Sequence, residues 1–425
     1  MRELFSRMAQ LGDVTEISVA GRRLVVLNHP ADVQRVLVTE QRNFVKGPAL
    51  ERTKPLLGEG LLTNEGESHL RQRRLAQPAF HRERIAGYGS VMAAYADRAQ
   101  AGWHDGDTLD IHAAMMRLTL AIVTKTLFDE DVEGNSGVVG EAIDLSLRMF
   151  NYTLVPLGVV MEHLPIPWVR RLHRARRQMD AYIATLIAER RRGGADRGDL
   201  LSMLVAAQDD GHGMSDRQLR DELVTVLMAG HETTAVGLSW TWYLLSQHPE
   251  VEEKLHQELH DVLGEGTGGS SASRAPTVGD LPRLSYTRSV FAESMRLYPP
   301  AWVIERRALG PFEAGGYTIP AESLVLVSQY NIHRDPRWWP EPERFNPDRW
   351  SVEPSPKFSY FPFGAGTRIC IGEQFAWMEG VLVLATLARR WRMRHDPTHR
   401  VAMEPLVTLR PKYGMRMTLG RRSPA

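Results

Sequence analysis

The chain has one cysteine, Cys370, in 425 residues, and that count narrows what can hold its fold together. An intrachain disulfide framework is impossible, and so is a zinc or iron–sulfur site built from clustered cysteines. Stability must come from a packed core, for which 43% apolar and 24% charged residues are an ordinary globular mixture. A lone cysteine is most often a small buried hydrophobe, so its surroundings must decide its role. Residues 361–372 read FPFGAGTRICIG, which contains F-x-x-G-x-R-x-C-x-G at Phe363, Gly366, Arg368, Cys370 and Gly372. Five fixed positions match one recurrent pattern, and chance supplies such a match on the order of once in ten thousand chains.

Around this loop the chain reads as mostly helical. Val14 to Val19 and Arg22 to Leu27 are β-prone runs joined by Ala20-Gly21, a hairpin signal. Helical apolar spacing marks residues 66–104, 139–150, 170–192, 221–247 and 284–298. His248-Pro249 stops the fourth and Pro299-Pro300 the fifth. Short strands are expected over 317–320 and 323–328, an ordered coil over 334–367, a helix from Gly372 to about Trp391, and a final hairpin over 407–419. No apolar run reaches the roughly 18 residues of a spanning helix, and no secretory leader is evident. A net charge of +1 does not suggest nucleic-acid binding. Gly264 to Ser273 has linker composition and contains G-x-G-x-x-G. A helix precedes it where a dinucleotide site needs a strand, so a surface loop over about 264–278 is expected instead.

Three further patterns carry chemistry. Ala229-Gly230-His231-Glu232-Thr233-Thr234 sits inside the 221–247 helix. Glycine inside a helix costs about 1 kcal/mol relative to alanine, and the Thr233 hydroxyl can bond the Ala229 carbonyl and bend the helix. Glu232 and Thr233 form an acid–alcohol pair suited to proton delivery. A zinc-hydrolase H-E-x-x-H reading fails because Ala235 stands where the second histidine belongs. Glu293 and Arg296 lie three apart on one helix face, and Pro342-Glu343-Arg344-Phe345 follows downstream. His69 and Arg73, in GESHLRQRRLAQPAF, lie four apart on another.

The cysteine loop with these patterns, in order over about residues 14–419, resembles the cytochromes P-450, soluble bacterial type. The resemblance implies one domain over 1–425 with the cytochrome P-450 fold, mainly α with a small β-rich lobe. It implies haem b held by Cys370 as thiolate, a ligand that pushes electron density onto iron and favours O–O cleavage. Phe363, Gly364, Ala229 and Gly230 would border the haem, with His69, Arg73, Arg306 and Arg368 facing its propionates; Arg307, beside Arg306, leaves that choice open. Glu293, Arg296 and Arg344 would form a buried structural triad. Glu232 and Thr233 would deliver protons. The activity implied is insertion of one oxygen atom from dioxygen into a largely apolar fatty acid, terpenoid or macrolide precursor. Rivals are a hydrogen-peroxide-using peroxygenase, which usually lacks the Glu-Thr pair, and a non-catalytic haem-thiolate sensor.

By the same resemblance the substrate pocket is expected from Val224, Leu227 and Met228, from Ala301, Trp302, Val303 and Ile304, and from Leu406 and Val407. Electrons would come from external NAD(P)H through a ferredoxin or flavodoxin and its reductase. A basic face at Arg71, Arg74, Arg82 and Arg84 could dock that partner. The expected setting is cytoplasmic and monomeric, without nucleic acid or membrane anchor.

Overall fold

The structure, a computed structural model, describes residues 2–19, 21–130, 166–193, 197–209, 211–264 and 274–422. The helix expected over 139–150 and most of the 264–278 loop lie outside the described residues. The chain forms two compact units. One comprises Met1–Val45, Gly89–Leu118 and Thr233–Ala425; the other comprises Lys46–Tyr88 and Thr119–Glu232.

The first unit holds a five-stranded sheet. Val14–Val19 and Arg22–Leu27 pair antiparallel about Gly21, whose φ of +75° suits the turn. Leu324–Val327 runs parallel to Arg22–Leu27 and antiparallel to Ile304–Ala308. The sheet is buried on both faces. Val25, Leu27, Val325 and Val327 pack with Phe44, Phe312 and Phe361, while Val26 and Leu326 pack with Met8, Trp302 and Leu409. Strands covered on two sides become continuous apolar runs, which is why Leu24–Leu27 and Leu324–Val327 show little alternation.

Met8 belongs to a helix, Arg2–Leu11, that the sequence reading does not anticipate. It is tied to the first strand by Thr15 Oγ1 donating to the Met8 carbonyl at 2.8 Å. The C-terminal expectation also needs correction: two pairings replace one hairpin over 407–419. Met403–Pro405 pairs with Leu409–Pro411, whereas Arg416–Arg421 pairs with Trp391–His395 and Thr108–Asp110. The chain swings away at Gly414, where φ is +74° and a Cβ would collide with the Asp110 carboxylate. That carboxylate instead accepts the Met415 N–H at 2.9 Å.

In the second unit, Gly58 and Gly60 let the chain close on Asp221 and Thr225. Asp221 accepts the Glu59 N–H at 2.9 Å and Glu222 the Leu61 N–H at 3.0 Å. The 32-residue helix Asp216–Gln247 that carries these acids is the long apolar helix of the sequence. Helix Ile111–Phe128 is long and apolar enough to span a membrane, but 67% of it is buried inside the protein, as a core helix would be.

Candidate active site

Cys370 lies between the 3-10 turn Gly366–Arg368 and the helix Glu373–Ala388. The loop is built by its own backbone. Gly364 N–H donates to the Phe361 carbonyl at 3.0 Å, and Cys370 N–H to the Phe363 carbonyl at 2.9 Å. Gly364 and Gly366 both have φ of +71°, and a Cβ on Gly366 would collide with the Leu37 carbonyl. Gly364 and Gly366 are therefore conformational requirements. The thiol is exposed although the loop is ordered, and it precedes the positive end of a helix dipole, a setting that favours thiolate. Among the described residues no group of three or more His, Cys, Asp or Glu could hold a bare metal ion. Iron at Cys370 would have to arrive within a prosthetic group.

The cationic groups suit an anionic one. Arg306 is buried, bonded to the Glu305 carbonyl at 2.9 Å, and burial pulls its guanidinium down to about 10. Among the described residues only the neighbouring Glu305 charge offsets that cost, and a carboxylate brought by a ligand would offset more of it. Arg307, the rival, is taken by Glu322 at 2.8 Å on the surface. Burial likewise lowers Arg368. In the second unit, His69 is buried and Arg73 half-buried on helix Gly66–Ala76, and both have partners. The residues thus fit a haem: an accessible thiol and, in the same unit, a buried guanidinium at Arg306 that is bonded to a backbone carbonyl.

Along the long helix, positions Val226, Ala229, Gly230 and Thr233 form one stripe at 3- and 4-residue spacing. These are the positions left partly or fully exposed between residues 221 and 235. Glu232 and Thr234 are buried beside them. Val224, Leu227 and Met228, expected to line the pocket, are buried, and none of them falls on this stripe. Apolarity alone cannot tell a lining residue from core; helical phase can.

The second and third pocket segments do meet, since Trp302 Nε1 donates to the Leu406 carbonyl at 2.9 Å. Trp302 itself is core, packed with Met8, Val26, Leu326 and Leu409. Ala301 and Val407 are exposed, and Val303, Ile304 and Leu406 half-buried.

The structural triad needs a substitution of one member. Glu293 and Arg296 are fully buried and bonded at 2.9 Å. The third member is Arg349, whose Nε donates to Glu293 at 2.9 Å. Arg344 points outward to Glu341 and contributes its backbone carbonyl, which accepts from Arg296 at 3.2 Å. The basic face is also weaker than its count of arginines, because Asp209 pairs with Arg74 at 2.9 Å and lies 3.8 Å from Arg71. One buried acid was missed. Glu379, fully buried on helix Glu373–Ala388, is pushed up to about 8 by burial, offset only by the Thr234 hydroxyl. A lone glutamate inside the apolar run Met378 to Ala388 was the available signal.

The cytochrome P450 family model matches residues 1–417. Cyclooctat-9-en-7-ol 5-monooxygenase of Streptomyces melanosporofaciens is 40% identical over 91% of this chain and 83% of its own. Cyclooctatin synthase of the same organism is 39% identical over 94% and 86%. Pentalenene oxygenase of Streptomyces avermitilis is 33% identical over 99% and 92%. Among solved structures, the haem domain of cytochrome P450DA superposes with a TM-score of 0.87 at 27% identity, covering 100% of this chain and 93% of that one.

Proposed function

The chain belongs to the cytochrome P450 family and is a monooxygenase acting on apolar compounds, and we propose that its substrate is of the terpenoid type. The observation that carries this choice over fatty acids and macrolides is the set of relatives named for cyclooctat-9-en-7-ol and pentalenene oxidation. The half-buried apolar residues Val303, Ile304 and Leu406 support it. Such a site binds mainly by burying hydrocarbon, at roughly 25 cal/mol per Å². Terpenes and terpene alcohols should shift the haem absorption spectrum at lower concentrations than long-chain acids, macrolactones or small polar metabolites. A panel in which only polar compounds shift it would sink the reading.

Bound haem with a thiolate ligand supplies the chemistry that splits dioxygen, one atom going to substrate and the other to water. The protein's part is ligand, orientation and protons. Cys370 is assigned as the iron ligand, Arg306 and Arg368 as propionate partners, with His69 and Arg73 carried over from the resemblance. Thr233 stands on the open stripe of the long helix, where its hydroxyl could hold a proton for the reaction, and Glu232 is assigned to supply it. The presence of this pair supports dioxygen over hydrogen peroxide as oxidant. Thr233→Ala should bind haem and substrate normally and lower the product formed per NAD(P)H consumed roughly tenfold or more, the surplus appearing as hydrogen peroxide. Unchanged coupling would remove Thr233 from proton delivery.

Electrons are assigned to a separate ferredoxin or flavodoxin with its NAD(P)H-dependent reductase, in the cytoplasm. Arg71 and Arg74 remain the docking candidates, although Asp209 offsets part of their charge. An electrostatically steered reduction slows steeply with salt. Charge reversal at Arg74 should flatten that dependence, and reduction indifferent to both salt and reversal would rule the face out.

A further inference from the structure

His333 follows the short helix Gln329–Ile332 and is fully buried. Burial, with the guanidinium groups of Arg296 and Arg334 adding to it, holds its imidazole well below the ordinary value, so the ring is neutral. Its backbone carbonyl accepts from Arg296 Nη1 at 2.7 Å, which ties it to the Glu293 cluster. Its ring reaches the other way. Nε2 accepts the backbone N–H of Phe361 at 3.0 Å, so the ring proton is on Nδ1. The ring packs against Tyr360 and Phe361, with centroids 4.9 and 5.2 Å away.

Phe361 opens the loop that ends at the thiol. Its carbonyl accepts the Gly364 N–H at 3.0 Å, and the Phe363 carbonyl accepts the Cys370 N–H at 2.9 Å. An unbroken series of bonds therefore runs from Glu293 through Arg296, His333 and Phe361 into the cysteine loop. We infer that His333 is a positioning residue for the Cys370 thiolate, its neutral ring serving as the fixed acceptor from which the loop is hung. The inference rests on Cys370 being the iron ligand. His333 lies in the same unit as the loop and acts through it. Its mechanism is the aversion of a buried N–H to losing its acceptor. Without Nε2, the loop must shift until the Phe361 N–H finds another partner, and the thiol shifts with it.

Two substitutions separate the acceptor from the bulk. His333→Gln sets an amide oxygen near the place of Nε2, while His333→Leu fills space and accepts nothing. Each haem-loaded protein is read by the Soret band of its reduced carbon monoxide complex, red-shifted only while a thiolate is the ligand, and by denaturant unfolding. His333→Gln should keep the red-shifted band. His333→Leu should lower the ratio of red-shifted to unshifted haem roughly tenfold, the effect of stranding one buried donor. A full red-shifted band in His333→Leu, or equal loss in both variants, overturns the proposal. Where His333→Leu does not fold, His333→Gln decides: a retained band upholds the inference and a lost one overturns it. A native protein lacking the red-shifted band would instead refute thiolate ligation itself, and the inference with it.

Discussion

Cys370→His should lose the red-shifted Soret band of the reduced carbon monoxide complex and keep less than about one per cent of wild-type monooxygenation. The expectation follows from charge. A thiolate ligand would donate more electron density to a haem iron than a neutral imidazole, which favours oxygen cleavage. The loop amplifies the difference, because its glycines and the Phe363–Cys370 bond fix the backbone for a short side chain. A longer imidazole would have to displace the haem or distort that backbone. The chain has no second cysteine to substitute. A Cys370→His protein with an unchanged red-shifted band would refute the ligand assignment outright, whatever its activity.

The sequence made this loop legible because its requirements are local: positive φ at two glycines, one bond across seven residues, one thiol before a helix. The first hairpin and the long helix were legible for the same reason, through a turn glycine and sustained apolar spacing. What sequence could not resolve depends on distant partners. Trp302 is expected in the pocket by resemblance, yet it packs with Met8, Leu326 and Leu409, far away in the chain. Val224 and Leu227 are expected as lining by the same resemblance, and the structure shows them buried, off the partly exposed stripe of their helix. The helix Arg2–Leu11 has helical spacing at Leu4, Met8 and Leu11, but ten residues are marginal as an isolated helix and gain stability mainly by docking. Arg349 is the sharpest case. It stands five residues from Arg344 in the same Pro-rich coil, and nothing local distinguishes the two guanidinium groups.

That ambiguity yields the second large effect. Arg349→Ala should destabilise the protein by about 3–5 kcal/mol, a large part of the roughly 5–15 kcal/mol that a folded domain holds, and should lower haem content with it. Glu293 is fully buried and takes bonds from Arg296 Nε and Nη2, Arg349 Nε, Trp350 Nε1 and the Asn346 N–H, all between 2.9 and 3.1 Å. Removing Arg349 strips a cation from that carboxylate and leaves the Pro340 carbonyl without the guanidinium that bonds it at 3.1 Å. Lysine should rescue little, because one ammonium cannot span the carboxylate and the coil carbonyls as the planar fork does. Arg344→Ala should change stability by less than about 0.5 kcal/mol, since its exposed side chain pairs with Glu341 in solvent and its structural contribution is a carbonyl that alanine also has. Urea unfolding of both variants, followed through the haem Soret band and tryptophan fluorescence together, measures the pair directly. Equal losses, or a larger loss in Arg344→Ala, would return the third place in the cluster to Arg344.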